Sequence, residues 1–133
     1  MTSKKPKQPK PQSIRITRDA FDFIAHAARN TDPDEFVGML RQNRRGIIDT
    51  ILIIPLSEYG SGFSSINLNM VPALSDSCGS IHSHPGAPPL PSQADRLFFS
   101  RMGGVHLIIA SPYDDRSIRG YDDAGAPLGV EIV

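Results

Sequence analysis

The spacing of apolar residues changes period several times along the chain, and each change marks an element. Ile14-Arg15-Ile16-Thr17 alternates and predicts a short strand. From Thr17 or Arg18 to about Asn30, Phe21, Ile24, Ala25 and Ala28 recur at helical spacing and form one buried stripe. Thr31-Asp32-Pro33-Asp34 breaks that helix. Residues 35–41 read as a strand that opens on a carboxylate, 43–46 as a turn, and 47–56 as a long β-branched strand. Together they predict a hairpin through the middle of a sheet. Residues 57–65 read as a flexible loop, and 64–71 as an alternating strand with Ile66, Leu68 and Met70 on one face. A connection over 72–77 leads into a strand at 78–84. Four prolines in residues 85–91 exclude helix and interior strand, which leaves a stiff loop. A helix is predicted over 92–101 with Leu97 and Phe98 inward, ended by Gly103-Gly104. Strands follow at 105–110, 117–121 and 128–133, with a turn at 122–125.

Composition narrows the class. A chain of 133 residues with 39% apolar and 21% charged content suits one globular domain, here residues 13–133. Residues 1–12 hold three prolines, four lysines and almost nothing apolar, so a disordered basic tail is expected there. The formal charge is zero, but all four lysines fall in the first ten residues, which contain no acid. The rest of the chain sets ten arginines against fourteen acids, a net charge of −4, so a globally basic nucleic-acid binder is excluded. No apolar run reaches the ~18–20 residues that cross a bilayer, and the N-terminus lacks the apolar core of a signal peptide. No membrane association is therefore expected, and the expected location is the cytoplasm. The single cysteine, Cys78, excludes an internal disulfide framework and a multi-thiolate zinc site, so any metal must be held by histidine and carboxylate.

One stretch offers such ligands. His82 and His84 stand two apart on a predicted strand, and Asp95 follows His84 after ten intervening residues. Residues i and i+2 of a strand face the same way, with Cα atoms roughly 6.5–7 Å apart. Two imidazoles so placed can converge on one ion, and a carboxylate from the next helix can add a third ligand. Three nitrogen and oxygen ligands with an open fourth position are the pattern of a catalytic zinc. Spacing alone leaves other readings open. Ser92-x-x-Asp95 is also close to a helix capping box, the two histidines could be ordinary strand residues, and Glu35 could simply sit exposed where its strand begins. His26, without a partner nearby in sequence, reads as a surface histidine. Cys78 reads as a core thiol and His106 as structural.

The joined pattern is more telling than its parts. Glu35-x-x-Gly38-x-Leu40, then His82-Ser83-His84-Pro85, six residues, and Ser92-x-x-Asp95 resemble the signature of the JAMM (MPN-plus) metalloprotease family, with every position present. The resemblance spans residues 14–133 and implies a mixed α/β fold: a curved, largely antiparallel mixed sheet flanked by helices, related to cytidine deaminases. The Pro-Cys-x-x-Cys of those deaminases is missing, which disfavours base deamination. The resemblance implies that His82, His84 and Asp95 ligate Zn²⁺ with water as the fourth ligand. It makes Glu35 the general base and gives the Ser92 hydroxyl a part in stabilising the oxyanion. It also implies cleavage after the C-terminal tail of a ubiquitin-like modifier, with the tail added as a strand beside residues 62–70. Processing of a C-terminal extension on a ubiquitin-like sulfur-carrier protein, and a non-catalytic scaffold, are the alternatives. The long second insertion of some eukaryotic members has no room after Asp95, so a compact prokaryotic type is expected. The oligomeric state is not legible.

Overall fold

A computed structural model describes residues 12–54 and 76–133. Residues 1–11 of the expected tail, the loop at 57–65, the strand at 64–71 and most of the connection at 72–77 lie outside the described residues. The elements run β1 (Ser13–Ile16), α1 (Arg18–Thr31), β2 (Val37–Gln42), β3 (Ile48–Ile53), β4 (Gly79–His84), α2 (Gln93–Met102), β5 (Val105–Ala110), β6 (Ile118–Tyr121) and β7 (Pro127–Ile132).

Local chemistry sets the boundaries. The Thr17 side chain accepts from the Ala20 N–H and caps α1, with Asp19 in the first turn and Arg29 in the last, where the helix dipole favours each charge. The helix ends at Asp32, just before Pro33. Its buried residues are Ala20, Phe21, Ile24, Ala25 and Ala28, the stripe expected from spacing. The β2–β3 turn is held by Asn43 Oδ1, which accepts from the N–H groups of Arg45 and Ile47, and Gly46 takes a positive φ of 75°. Glu35 lies before β2 rather than inside it, because the ladder with β4 begins at Val37.

The strands are ordered β1-β3-β2-β4-β5-β6-β7 and close into a barrel. Closure goes further than the curved sheet expected from sequence, and β1 makes it. This strand lies parallel to β7 over four residue pairs and touches β3 in one parallel pair, Ile16 with Ile48. Four of the seven strand pairings are antiparallel; β4–β5 is the third parallel one.

Alternation along the strands sorts two apolar clusters. Phe36, Leu40, Ile81, Leu107 and Ile109 face the cluster shared with α1, whereas Val37, Met39 and Ile108 face Phe98 and Phe99 of α2. The inward stripe of α2 is Asp95, Phe98, Phe99 and Met102, spaced three, four and seven apart. Leu97, expected to point inward, is 52% exposed because it falls between the turns of that stripe. Among the described residues no helix is long and apolar enough to cross a membrane.

Candidate metal centre

Pairing register carries the two histidines and the acid to one place. Val37 faces His82 across β2 and β4, so His82 takes the α2 side of the sheet, as does His84 two residues on. His82 is fully buried and His84 partly so. Asp95, buried in the first turn of α2, comes up beneath them. His82 Nε2 and His84 Nε2 are 3.0 Å apart, and each is 3.3 Å from Asp95 Oδ2. Tetrahedral zinc with bonds of ~2.0–2.1 Å spaces its ligands by about 3.3 Å. The triangle has the right size.

Its chemistry also asks for a cation. His84 Nδ1 is 2.9 Å from the Pro88 carbonyl oxygen, which can only accept, so this nitrogen carries the N–H. In the neutral ring Nε2 is then a bare acceptor facing a carboxylate oxygen. Two acceptors 3.3 Å apart repel unless something positive lies between them. A proton is one answer: the Asp95 hydrogen bond raises the pKa of His84 against the opposing effect of burial. Burial would likewise raise Asp95, but the hydrogen bonds to His82 and His84 outweigh it and hold the carboxyl far below its ordinary range. A divalent metal ion is the other answer, and the donor set fits zinc.

A carboxylate oxygen of Glu35 and one ring nitrogen each of His82 and His84 lie within 4.8 Å of one another. Two carboxylates thus flank the histidine pair.

Ser92 and Asp95 do form the capping box. Ser92 Oγ accepts from the Asp95 N–H at 3.1 Å, and Asp95 Oδ2 accepts from the Ser92 N–H at 2.9 Å. The same Oδ2 faces both histidines, so helix cap and candidate metal ligand are one atom. A hydroxyl oxygen that accepts still has its O–H to donate, and Ser92 is exposed. The stiff loop after His84 is tied at two carbonyls, Pro88 to His84 and Pro89 to the Tyr121 hydroxyl.

The remaining histidines stand apart. His26 is exposed and bonded to Asn30. His106 is buried, bonded through Nδ1 to Ser80 and through Nε2 to the Gly103 carbonyl, and stacked on Phe99 at 4.1 Å. Cys78 is half-buried, packs against the α1 cluster, and is pushed up by burial to about 11, so it is an inert thiol.

Two features of the site were missed by reading the sequence. The Ser83 hydroxyl bonds to the backbone beside Glu35, and the Tyr113 hydroxyl donates to Asp32 at 2.6 Å, three residues before Glu35. Alternation in the strand marks Ser83 as facing away from the histidines. Nothing local marks Tyr113, which comes from 81 residues away.

Comparison with known proteins agrees with the geometry. A probable metalloprotease of Haloferax volcanii is 33% identical over 129 residues, covering 90% of this chain and 80% of the relative. A JAB1/MPN domain protein of Archaeoglobus fulgidus superposes with a TM-score of 0.73 at 28% identity, over 92% of this chain and all of the other. A structure described as a JAMM metalloprotease-like zinc site in the proteasome and signalosome gives a TM-score of 0.70 at 27% identity, over 91% of this chain and 98% of the other. The family of prokaryotic homologs of the JAB domain, Prok-JAB, matches residues 17–121. This chain therefore belongs to that family, and is a JAMM-type member of it.

Proposed function

We propose that the protein is a zinc-dependent peptidase that cuts after the C-terminal tail of a ubiquitin-like modifier, at isopeptide bonds to lysine. The observation that carries this reading is the acceptor triangle of His82, His84 and Asp95, with the Glu35 carboxylate alongside. The likeness to a probable metalloprotease supports hydrolysis in particular.

In this reading His82 and His84, through Nε2, and Asp95, through Oδ2, would hold the ion. A bound zinc ion supplies a water pKa lowered towards ~7 and a polarised scissile carbonyl. Glu35 takes the proton that the attacking water gives up and delivers it to the departing amine as the C–N bond breaks. The Ser92 O–H donates to the carbonyl oxygen as negative charge develops there. The Pro88 carbonyl keeps the proton of His84 on Nδ1 and so leaves Nε2 to the ion. The chain then needs nothing from the substrate beyond an extended tail and a carbonyl presented to this face.

The test is a metal measurement followed by a cleavage assay. Purified protein is expected to hold one equivalent of zinc and to cleave a Gly-Gly-tailed modifier from lysine until a chelator is added. Cleavage only of a linear extension on a sulfur-carrier protein would replace the isopeptidase reading with a processing role. Stoichiometric zinc with no cleavage of either substrate would leave a scaffold.

A further inference from the structure

The residue between the two histidines faces the other side of the sheet, and what it does there bears on Glu35. Ser83 is fully buried. Its backbone N–H donates to the Phe36 carbonyl at 2.9 Å. An antiparallel pair of this kind normally returns the bond from backbone to backbone. Here the return bond runs elsewhere: the Phe36 N–H donates to Ser83 Oγ at 2.7 Å. The regular ladder stops one residue later, at Val37 with His82. A side-chain hydroxyl has thus taken the place of the last rung, at the point where the chain leaves the sheet. Glu35 is the next residue out.

The consequence is geometric. The N–H of the peptide bond between Glu35 and Phe36 is held by one hydroxyl on the strand that also presents His82 and His84. The residue that spaces the two imidazoles is thus bonded to the backbone one residue from the carboxylate. Phe36 is buried in the α1 cluster, so its side chain resists displacement while its N–H is gripped.

We propose that Ser83 is a positioning residue for Glu35, acting through the Phe36 backbone, with the hydroxyl as the working group. The proposal rests on the reading of Glu35 as the base. It predicts a loss of turnover without loss of metal, because the hydroxyl faces away from the ligand triangle.

The experiment compares Ser83→Ala, Ser83→Thr and Glu35→Gln in the zinc-loaded protein, with zinc affinity of the stripped protein measured by chelator competition. Ile48→Val, a core change on β3, controls for lost stability. Displacing a reacting group by ~1 Å can cost about 100-fold, so Ser83→Ala is expected to lower kcat by roughly 10- to 100-fold. KM and zinc affinity are expected to stay within about 3-fold by the same argument. Ser83→Thr restores the hydroxyl and is expected to recover most of the turnover, and Ile48→Val is expected to leave kcat alone. Wild-type kcat in folded Ser83→Ala overturns the proposal, as does an equal loss in Ser83→Thr or a matching fall in zinc affinity. Should Ser83→Ala fail to fold, Ser83→Cys keeps the volume with a weaker acceptor, and full turnover there overturns it equally. Full turnover in Glu35→Gln would instead remove the base itself, a result separable from any outcome at Ser83.

Discussion

Val37 stands opposite His82 in the antiparallel register of β2 and β4. Glu35 precedes Val37 by two residues, just outside the ladder, and one of its carboxylate oxygens lies within 4.8 Å of a ring nitrogen of each of His82 and His84. A slip of one residue would turn Glu35 toward the α1 cluster and Phe36 toward the metal site. Register is strongly specified here because Phe36, Leu40 and Ile81 are buried on one side and Val37 and Met39 on the other. The hydrophobic pattern of an otherwise ordinary hairpin thus delivers a carboxylate to the site.

Glu35→Gln tests that delivery. The amide keeps the shape of the side chain and cannot take a proton, so zinc content is expected to be unchanged while kcat falls by about 10²- to 10⁴-fold. Glu35→Asp keeps the chemistry one methylene short of its place and is expected to fall between Gln and wild type. Metal analysis beside single-turnover cleavage separates the two effects, and an active Glu35→Gln protein would show that the base lies elsewhere.

Zinc should also be visible as stability. The triangle exists only in the folded chain, so ligand at 100 times its Kd adds about 2.7 kcal/mol. For a chain of this size that raises Tm on the order of 10 °C. His84→Ala removes one ligand from a partly exposed position, and is expected to abolish the zinc-dependent rise while leaving the metal-free Tm nearly in place. Calorimetry with and without chelator reads both. A rise that survives His84→Ala would place the ion outside this cluster.

Most of this site was legible because its parts are local. Two histidines on one strand face, a capping serine and an acid three residues on are patterns of period two and of one helical turn, and both survive folding unchanged. Glu35 was legible only through the family signature, since its relation to His84 is a matter of register between strands far apart in sequence. Leu97 was misplaced for a related reason. With Asp95 read as polar, the apolar pattern of α2 offered two phases, and burial of the acid beside the histidines selects the one that exposes Leu97. Barrel closure was invisible because β1 is four residues long and touches β3 through a single pair.

Ser92 caps α2, and in the proposed mechanism it also donates to the oxyanion; a pair of substitutions can part the two. Ser92→Ala removes the cap on the Asp95 N–H and is expected to cost about 1 kcal/mol of stability. If its O–H also serves the oxyanion, kcat falls by up to about 10²- to 10³-fold. Ser92→Asp restores an oxygen acceptor at the cap without a donor, so it should recover Tm and not kcat. Recovery of both would reduce Ser92 to a helix cap.

His106 predicts how the fold responds to acid. Burial brings its pKa down to about 4, although the Gly103 carbonyl works the other way. Its Nδ1 accepts from the Ser80 hydroxyl and its Nε2–H donates to Gly103, an arrangement that only the neutral ring satisfies. A folded pKa below the unfolded value of 6.5 means that the unfolded chain takes up the proton first. The stability this histidine contributes is therefore complete above pH 6.5 and is lost as the pH falls through about 4. Within that window one proton corresponds to about 1.4 kcal/mol per pH unit, and the whole to roughly 3 kcal/mol. His106→Gln offers an amide N–H to Gly103 but does not titrate, so it should be less stable at neutral pH and flatter toward acid. Denaturant unfolding of the metal-free proteins at pH 7, 5.5 and 4.5 makes the comparison, since the remaining acids and histidines are common to both. Parallel curves would mean that His106 is protonated inside the fold, and the hydrogen bond drawn from Ser80 would have to be reversed.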